Sequence, residues 1–354
     1  MPLNPPSTRP RYLTLAYLLL VIYASLHPFS GWRDLGLSPF AFLDGAWPRY
    51  WTVFDLTTNV LVYLPLSYLL ALTLSGLPGR LSGALAATLL ATLVSLSLEC
   101  LQTWLPSRVP SNLDLACNTL GAVLGAALAV WQGQRFFNHL GAMQARLLAP
   151  VPHAELALVM VGLWLLTLLS PEILLFGTGD LRYLIGITPA VPYDAPSFFM
   201  IETSIIICNT IAIGLIVRSL LNDNENGNAQ ALPVLGIFFL LALIVRTLGA
   251  AVLVTPGDAF AWLTPGAWLG LLIGCATLLL TLLLPAAPRL AIAALALMAG
   301  TVLVNLAPDN PYSAAALSTW RQGHFLSFNG LTRLVASLWP FVLLPYLSLL
   351  GRRL

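Results

Sequence analysis

The sequence contains no lysine and few charged residues of any kind. Of its 354 residues, 8% are charged, against about 25% in soluble globular domains. All 16 basic residues are arginine, which excludes a Walker-type phosphate loop and a pyridoxal-dependent enzyme, because both need a lysine. The net charge of +2 supplies no basic surface for nucleic acid, so we expect no nucleic-acid partner.

Cysteine is also scarce, and its spacing fits neither a zinc site nor a disulfide framework. The four cysteines all lie in apolar stretches, at Cys100, Cys117, Cys208 and Cys275. The chain has no G-x-G-x-x-G, G-x-S-x-G or H-E-x-x-H motif, so no recognised catalytic motif supports an enzyme. We therefore expect no metal and no cofactor.

Apolar residues, in contrast, make up 58% of the chain, and its mean hydropathy is +0.86. A membrane-spanning helix needs about 20 apolar residues, so this supply suits about ten spans. The fold class expected is all-α, a polytopic integral membrane helical bundle of about ten transmembrane helices. Hydropathy places the spans at 12–28, 56–75, 81–102, 114–132, 154–176, 197–219, 231–254, 266–284, 289–307 and 334–350.

A long connection at 133–153 divides these spans into two groups. The sequence therefore predicts a four-helix membrane domain at 1–132, a cytoplasmic linker at 133–153 and a six-helix membrane domain at 154–354. With ten spans, nine arginines fall on the side of the termini and six on the opposite side. Since arginine favours the cytoplasmic side, both termini are expected in the cytoplasm.

Two predicted spans begin with the same pattern, D-L-x-x-N-x-L. Asp55 and Asn59 open the second span, and Asp114 and Asn118 open the fourth. Each pair is at i, i+4 and shares one helix face. Capping of the helix N-terminus would explain the two aspartates, but it does not explain the asparagines one turn deeper. The alternative is a polar pocket at the outer membrane boundary.

The third span ends with two further polar residues, Glu99 and Gln102. A carboxylate in an apolar run is costly unless it is paired, and Arg108, six residues after Gln102, is the candidate partner. We therefore predict a polar cluster near the outer boundary of one four-helix unit, formed by Asp55, Asn59, Glu99, Gln102, Arg108, Asp114 and Asn118.

The last outer loop supplies two more candidate ligand-binding residues, Arg321 and His324, among aromatic side chains. This loop would either cover the polar pocket or lie in the membrane interface as an amphipathic segment. In the second half of the chain, Glu202 and Arg246 are each expensive in lipid and are expected to face the bundle interior. Their interpretation is open between a structural ion pair and a proton or substrate path.

Several of these motifs together resemble the VanZ-like family over about residues 12–132. They are Tyr23-x3-His27-Pro28-Phe29, Asp55-x3-Asn59-x3-Tyr63-x-Pro65-Leu66, Glu99-x2-Gln102-x2-Leu105-Pro106-Ser107-Arg108, and Ser111-x2-Asp114-x3-Asn118-Thr119. Ser67 stands where the family usually has glycine. The resemblance implies a four-span domain with no assigned reaction. The family is named for a membrane protein that confers resistance to the glycopeptide antibiotic teicoplanin, so the implied location is the bacterial cytoplasmic (inner) membrane.

Three functions are compatible with these features. The favoured one is a non-enzymatic envelope protein that binds a lipid-linked or amphiphilic glycan or glycopeptide at the outer leaflet, in antibiotic resistance or envelope assembly, with membrane lipids as its other partners. The second is a membrane enzyme acting on a lipid-linked substrate, with a carboxylate of the cluster as general base and Arg108 as a phosphate clamp. The third is a transporter that uses Glu202 and Arg246. The ligand, the catalytic residues and the oligomeric state are not predicted.

Overall fold

The computed structural model describes residues 9–27, 29–48, 50–77, 80–132, 135, 154–170, 172–187, 192–221, 227–253, 259–308 and 326–351. These residues form ten helices of at least 14 residues and one single turn. The helices are α1 (Arg9–Leu26), α2 (Val53–Thr73), α3 (Arg80–Gln102), α4 (Asn112–Gln132), α5 (Ala154–Thr167), α6 (Arg182–Ile185), α7 (Ala195–Leu220), α8 (Gly227–Leu253), α9 (Pro265–Thr281), α10 (Ala286–Leu306) and α11 (Leu326–Gly351).

Seven of the described helices are long and apolar enough to cross a membrane, namely α2, α3, α4, α7, α8, α10 and α11. The helices α1, α5 and α9 are apolar but shorter. An all-helical, multi-pass membrane protein with about ten helices is therefore confirmed. The chain divides into two compact units, Met1–Met143 and Gln144–Leu354, and the boundary falls within the segment predicted to be a linker.

In the first unit, α2 and α4 run parallel and touch through glycine. A Cβ added at Gly121 would lie 2.3 Å from the carbonyl oxygen of Val60, and one added at Gly125 would lie 2.1 Å from that of Leu64. From Gly121 to Gly125 the facing residue changes from Val60 to Leu64. The residue numbers rise in the same direction on both helices, so the two helices are parallel. These two glycines thus let two backbones meet directly, and both helices begin at the same end of the unit, where α3 ends.

The second unit is also centred on a parallel pair, α7 and α9. Glycines at 266, 270 and 274 of α9 lie against Glu202, Ile206 and Thr210 of α7, again in constant register. Helix α10 packs on another side of α7 and runs antiparallel to it, with Val304 beside Ile205 in one apolar cluster and Gly300 against Asn209. Helix α7 is consequently the most buried of the candidate spans described, with 72% of its apolar window inside the protein.

Helix α5 ends earlier than hydropathy predicted. The expected span was 154–176, but the helix stops at Thr167, and the described residues 168–170 and 172–181 form no α-helix. The sequence has proline at 171, which cannot donate a helical hydrogen bond, and Gly179 adopts a φ of +90°. Buried carbonyl groups in such a segment need partners.

Arg246 of α8 supplies those partners. Its guanidinium donates to the carbonyl oxygens of Leu168, Ser170 and Ile173, the last at 2.8 Å. The carboxylate of Glu202 instead bonds the hydroxyl of Thr264. Arg246 and Glu202 therefore have separate partners, and the ion pair considered from the sequence is not how either is satisfied.

Candidate functional site

The polar residues singled out in the sequence lie where α2 and α4 begin and α3 ends. The start of α2 is closed by a capping box between Thr52 and Asp55. The Asp55 carboxylate accepts hydrogen bonds from the Thr52 backbone N–H at 3.1 Å and from the Thr52 hydroxyl at 2.7 Å. The Thr52 hydroxyl oxygen in turn accepts from the Asp55 N–H at 3.1 Å. Capping is therefore a sufficient structural role for Asp55.

The start of α4 repeats only half of this arrangement. The hydroxyl oxygen of Ser111 accepts from the N–H of Asp114 at 3.2 Å, as in a capping box. The N–H of Ser111, however, donates to the carboxylate of Glu99 at 2.8 Å. A glutamate of α3 thus occupies the place that Asp55 has in α2, and Glu99 is buried, with 5% of its surface exposed.

Because Glu99 accepts the hydrogen bond from the N–H of Ser111, the Asp114 carboxylate is available for other contacts. It bonds the side chains of Asn59 and Ser111, and it is close enough to both Asp55 and Glu99 for their charges to interact. Three carboxylates from three helices consequently meet at one end of the first unit. Capping accounts for Asp55 and for the bond from Ser111 to Glu99, but it does not account for the contacts of the Asp114 carboxylate.

A buried chain of neutral polar groups continues from this cluster toward the middle of the unit. The amide nitrogen of Asn118 donates to the hydroxyl of Ser95 at 2.8 Å, and the Tyr63 hydroxyl bonds the same serine. Within the described part of the chain, the Asn118 amide oxygen is buried without a hydrogen-bond partner. Buried polar atoms are nearly always paired, so this oxygen is an exception within the polar chain.

Gln102 and Arg108 turn toward α1. The Gln102 amide donates to the carbonyl of Ser25 at 3.0 Å. The Arg108 guanidinium donates to the carbonyl of Ala24 at 3.0 Å and twice to that of His27, at 2.9 and 3.1 Å. Arg108 therefore satisfies the carbonyl groups at the C-terminus of α1, a favourable place for a cation.

Arg108 also interacts electrostatically with Glu99, as the sequence suggested, although the hydrogen bond described for Glu99 goes to Ser111. Burial lowers the pKa of Arg108, and the negative charge of Glu99 opposes this shift. The arginine thus stays a cation that joins α1 to the carboxylate cluster.

His27 is a residue that the sequence reasoning did not place in the site. Its ring packs edge-on against Tyr23, with centroids 5.3 Å apart. Both ring nitrogens are buried and have no hydrogen-bond partner among the described residues. Burial, and then the charge of Arg108, lower the pKa of His27, which favours the neutral ring. The spacing Tyr23-x3-His27 was the available signal, since it puts both rings on one helix face.

The structure thus brings Asp55, Asn59, Glu99, Arg108 and Asp114 into one electrostatic cluster. Asn118 lies one turn below it, and Gln102 joins its edge to α1. Arg321 and His324 lie outside the described residues. Among the described residues, no group of three histidine, cysteine, aspartate or glutamate side chains is arranged to hold a metal ion.

An exposed aromatic loop adjoins the cluster. The N–H of Arg33 donates to the carbonyl of Trp104 at 3.0 Å, and the Asn112 side chain donates to the carbonyl of Gly45 at 2.8 Å. These bonds hold the connection between α1 and α2 against the end of α3 and the start of α4. The connection exposes several large aromatic side chains, Phe29, Trp32, Phe40, Trp47, Tyr50 and Trp51.

Comparison with known proteins identifies a family for the first unit. The family model described as VanZ/LLP1 matches residues 11–133, which extend from the first turn of α1 to the end of α4 and include every described residue of the cluster. No curated protein and no solved structure matches the chain. The first unit is therefore a VanZ-like domain within a helical membrane protein.

Proposed function

We propose that the VanZ-like unit binds an amphiphilic glycan or glycopeptide, free or lipid-linked, at the outer leaflet of the bacterial cytoplasmic membrane. The observation that carries this proposal is the meeting of Asp55, Glu99 and Asp114 at the end of the unit. One guanidinium, that of Arg108, accompanies these three carboxylates, and it is bonded to α1. The cluster is therefore rich in hydrogen-bond acceptors and negative charge.

The chemistry of the ligand follows from this excess of acceptors. Sugar hydroxyls and ammonium groups are donors, and donors to a carboxylate form the stronger, charge-assisted hydrogen bonds. The adjoining loop exposes Trp32, Trp47 and Trp51, whose rings suit the boundary between headgroups and acyl chains. A ligand with a hydroxyl- or amine-bearing head and an apolar part matches both surfaces.

Binding without conversion is the form of the proposal that the site supports. In the enzyme alternative, a carboxylate would act as general base beside a phosphate clamp. Here Asp55 is committed to capping α2, and Arg108 already donates three hydrogen bonds to backbone carbonyls. These engagements suit a rigid binding surface better than groups that must change partners during a reaction.

The test uses the full chain in lipid nanodiscs, with teicoplanin as the probe and calorimetry as the measurement. Asp114→Asn keeps the shape of the side chain and removes its charge, and it is expected to weaken teicoplanin binding by about tenfold or more, since a hydrogen bond to a charged group contributes about 1.5–3 kcal/mol. Asp44→Asn, on the exposed α1–α2 loop, is the matched control and should leave the affinity unchanged.

Two outcomes would reject the proposal. One is a wild-type chain that neither binds teicoplanin nor retains a glycolipid detectable by mass spectrometry after purification. The other is equal weakening by Asp114→Asn and Asp44→Asn, which would reflect net charge alone. A reaction product formed from extracted envelope lipids, and lost in Asp114→Asn, would favour the enzyme instead.

A further inference from the structure

The second unit contains a buried glutamate that the proposed function does not use. Glu202, on α7, has 4% of its surface exposed. Its carboxylate bonds the side chain of Thr264, whose hydroxyl oxygen also caps α9 by accepting from the N–H of Ala267 at 3.0 Å. The glutamate is therefore held inside the unit and does not reach toward the surface.

The position of the Glu202 carboxylate depends on glycine, which has no side chain, at residue 266. A Cβ added at Gly266 would lie 2.4 Å from a carboxylate oxygen of Glu202. The neighbouring Thr203 hydroxyl donates to the carbonyl of Gly266 at 3.3 Å, which holds the two helices together at this level. Glycine at 266 thus leaves the space that the Glu202 carboxyl group occupies.

No cation accompanies Glu202 among the described residues. The charged groups and thiols on α7 and on the helices α8, α9 and α10 are Cys208, Arg218, Arg246, Cys275 and Arg289, and none of them is a described partner of this carboxylate. Arg218 lies 16 residues further along α7, about 24 Å at 1.5 Å per residue. Arg246 is bonded to the carbonyls that follow α5.

Glu172 in the same unit shows the contrasting case. It forms an ion pair with Arg333 at 2.9 Å, so its charge is compensated. An uncompensated buried carboxylate is strongly disfavoured, and the positive end of a helix offsets only part of that cost. Glu202 therefore lacks the compensating charge that Arg333 gives to Glu172, and a neutral, protonated carboxyl group avoids the cost of a buried charge.

Thr264 suits both states of the glutamate. A hydroxyl can donate to an ionised carboxylate and can accept from a protonated carboxyl group, so the contact survives a change of protonation without a change of partner. We propose that Glu202 is a reversible proton-binding site of the second unit. This inference concerns a different unit from the glycan-binding proposal and does not depend on it.

The test is carbodiimide labelling of the full chain in nanodiscs, with adducts located by mass spectrometry. A protonated carboxyl group gives its proton to one carbodiimide nitrogen and adds through oxygen to the central carbon, and the adduct rearranges to a stable N-acylurea with no leaving group. At pH 7 an ordinary glutamate is protonated in only about 1 molecule in 500. We expect the adduct at Glu202 to exceed that at Glu172 by about tenfold or more, and to decline as the pH is raised further.

Infrared difference spectroscopy provides an independent reading that needs no reagent access. A protonated carboxyl band should be present at pH 7 in the wild type and absent in Glu202→Gln, and it should disappear reversibly as the pH rises. Equal labelling of Glu202 and Glu172 together with no such band would overturn the proposal. A band that never titrates would also overturn it, because the glutamate would then be permanently protonated.

Discussion

The contact between α2 and α4 leads to the sharpest prediction, the replacement of Gly125 by alanine. The new Cβ would lie 2.1 Å from the carbonyl oxygen of Leu64, whereas ordinary contacts begin at 3.4 Å. Because the obstructing atom belongs to the backbone of a helix, no side-chain rotation relieves the contact. The two helices must instead move apart by roughly 1 Å, and tight interior packing resists such movement.

The size of the effect follows from two opposing contributions. Overpacking of a well-packed interior typically costs about 1–3 kcal/mol, occasionally more. Replacing glycine by alanine inside a helix returns about 0.5–1 kcal/mol. Backbone contact places this site at the upper end of the first range, so we expect Gly125→Ala to destabilise the chain by about 2–2.5 kcal/mol. Movement of α4 would also displace Asp114 and Asn118.

The assay is thermal unfolding in a mild detergent, followed by tryptophan fluorescence, with Gly236→Ala as the control. Gly236 is also a helical glycine, but a Cβ there would meet nothing within 4 Å. Alanine at 236 should therefore leave the melting temperature unchanged or raise it slightly, and alanine at 125 should lower it by several degrees. Equal melting temperatures for the two variants would refute the close parallel packing of α2 and α4.

Three further predictions concern the same unit. Arg108→Lys keeps the charge but loses the fork that bonds two α1 carbonyls, so it should lower the free energy of unfolding by about 1–3 kcal/mol; a melting temperature equal to that of the wild type would contradict this role. Since the pKa of His27 is lowered in the folded state, its neutral ring contributes stability above pH 6.5 that is lost as the pH falls. The wild type should then lose more stability than His27→Gln between pH 7.5 and 5.5, and identical losses would refute this. With the four native cysteines replaced, Ser107→Cys should react with an impermeant thiol reagent in intact cells and Gly76→Cys, at the opposite end of α3, should not; the reverse pattern would invert the proposed orientation.

Residue spacing in the sequence predicted part of the polar cluster. The i, i+4 pattern placed Asp55 with Asn59 and Asp114 with Asn118, because helix periodicity is a local property. Spacing could not show that the N–H of Ser111 donates to Glu99, since this bond joins two helices. It also treated Asp55 and Asp114 as equivalent. The structure separates them into a capping residue and a carboxylate with contacts to another helix.

The arginines show a second limit. From the sequence, Glu99 is the expected partner of Arg108, and an ion pair with Glu202 is one of two interpretations of Arg246. In the structure the described hydrogen bonds of both arginines go to backbone carbonyls at the end of α1 and after α5. A helix end in an apolar interior leaves carbonyl groups unsatisfied, and which side chain reaches them depends on how the helices pack.

The sequence by itself determined that the chain is a helical, multi-pass membrane protein, because about 20 apolar residues in succession have few stable alternatives to a spanning helix. It also indicated the cap of α2 and the i, i+4 pairs of polar residues, since these depend on neighbours within a turn. Tertiary structure alone decided that His27 adjoins the site and that Glu202 and Arg246 have different partners. Each of these depends on contacts between residues that are distant in the sequence. In an apolar interior a buried charged group must find polar partners, and the packing of the helices determines which polar groups lie within its reach.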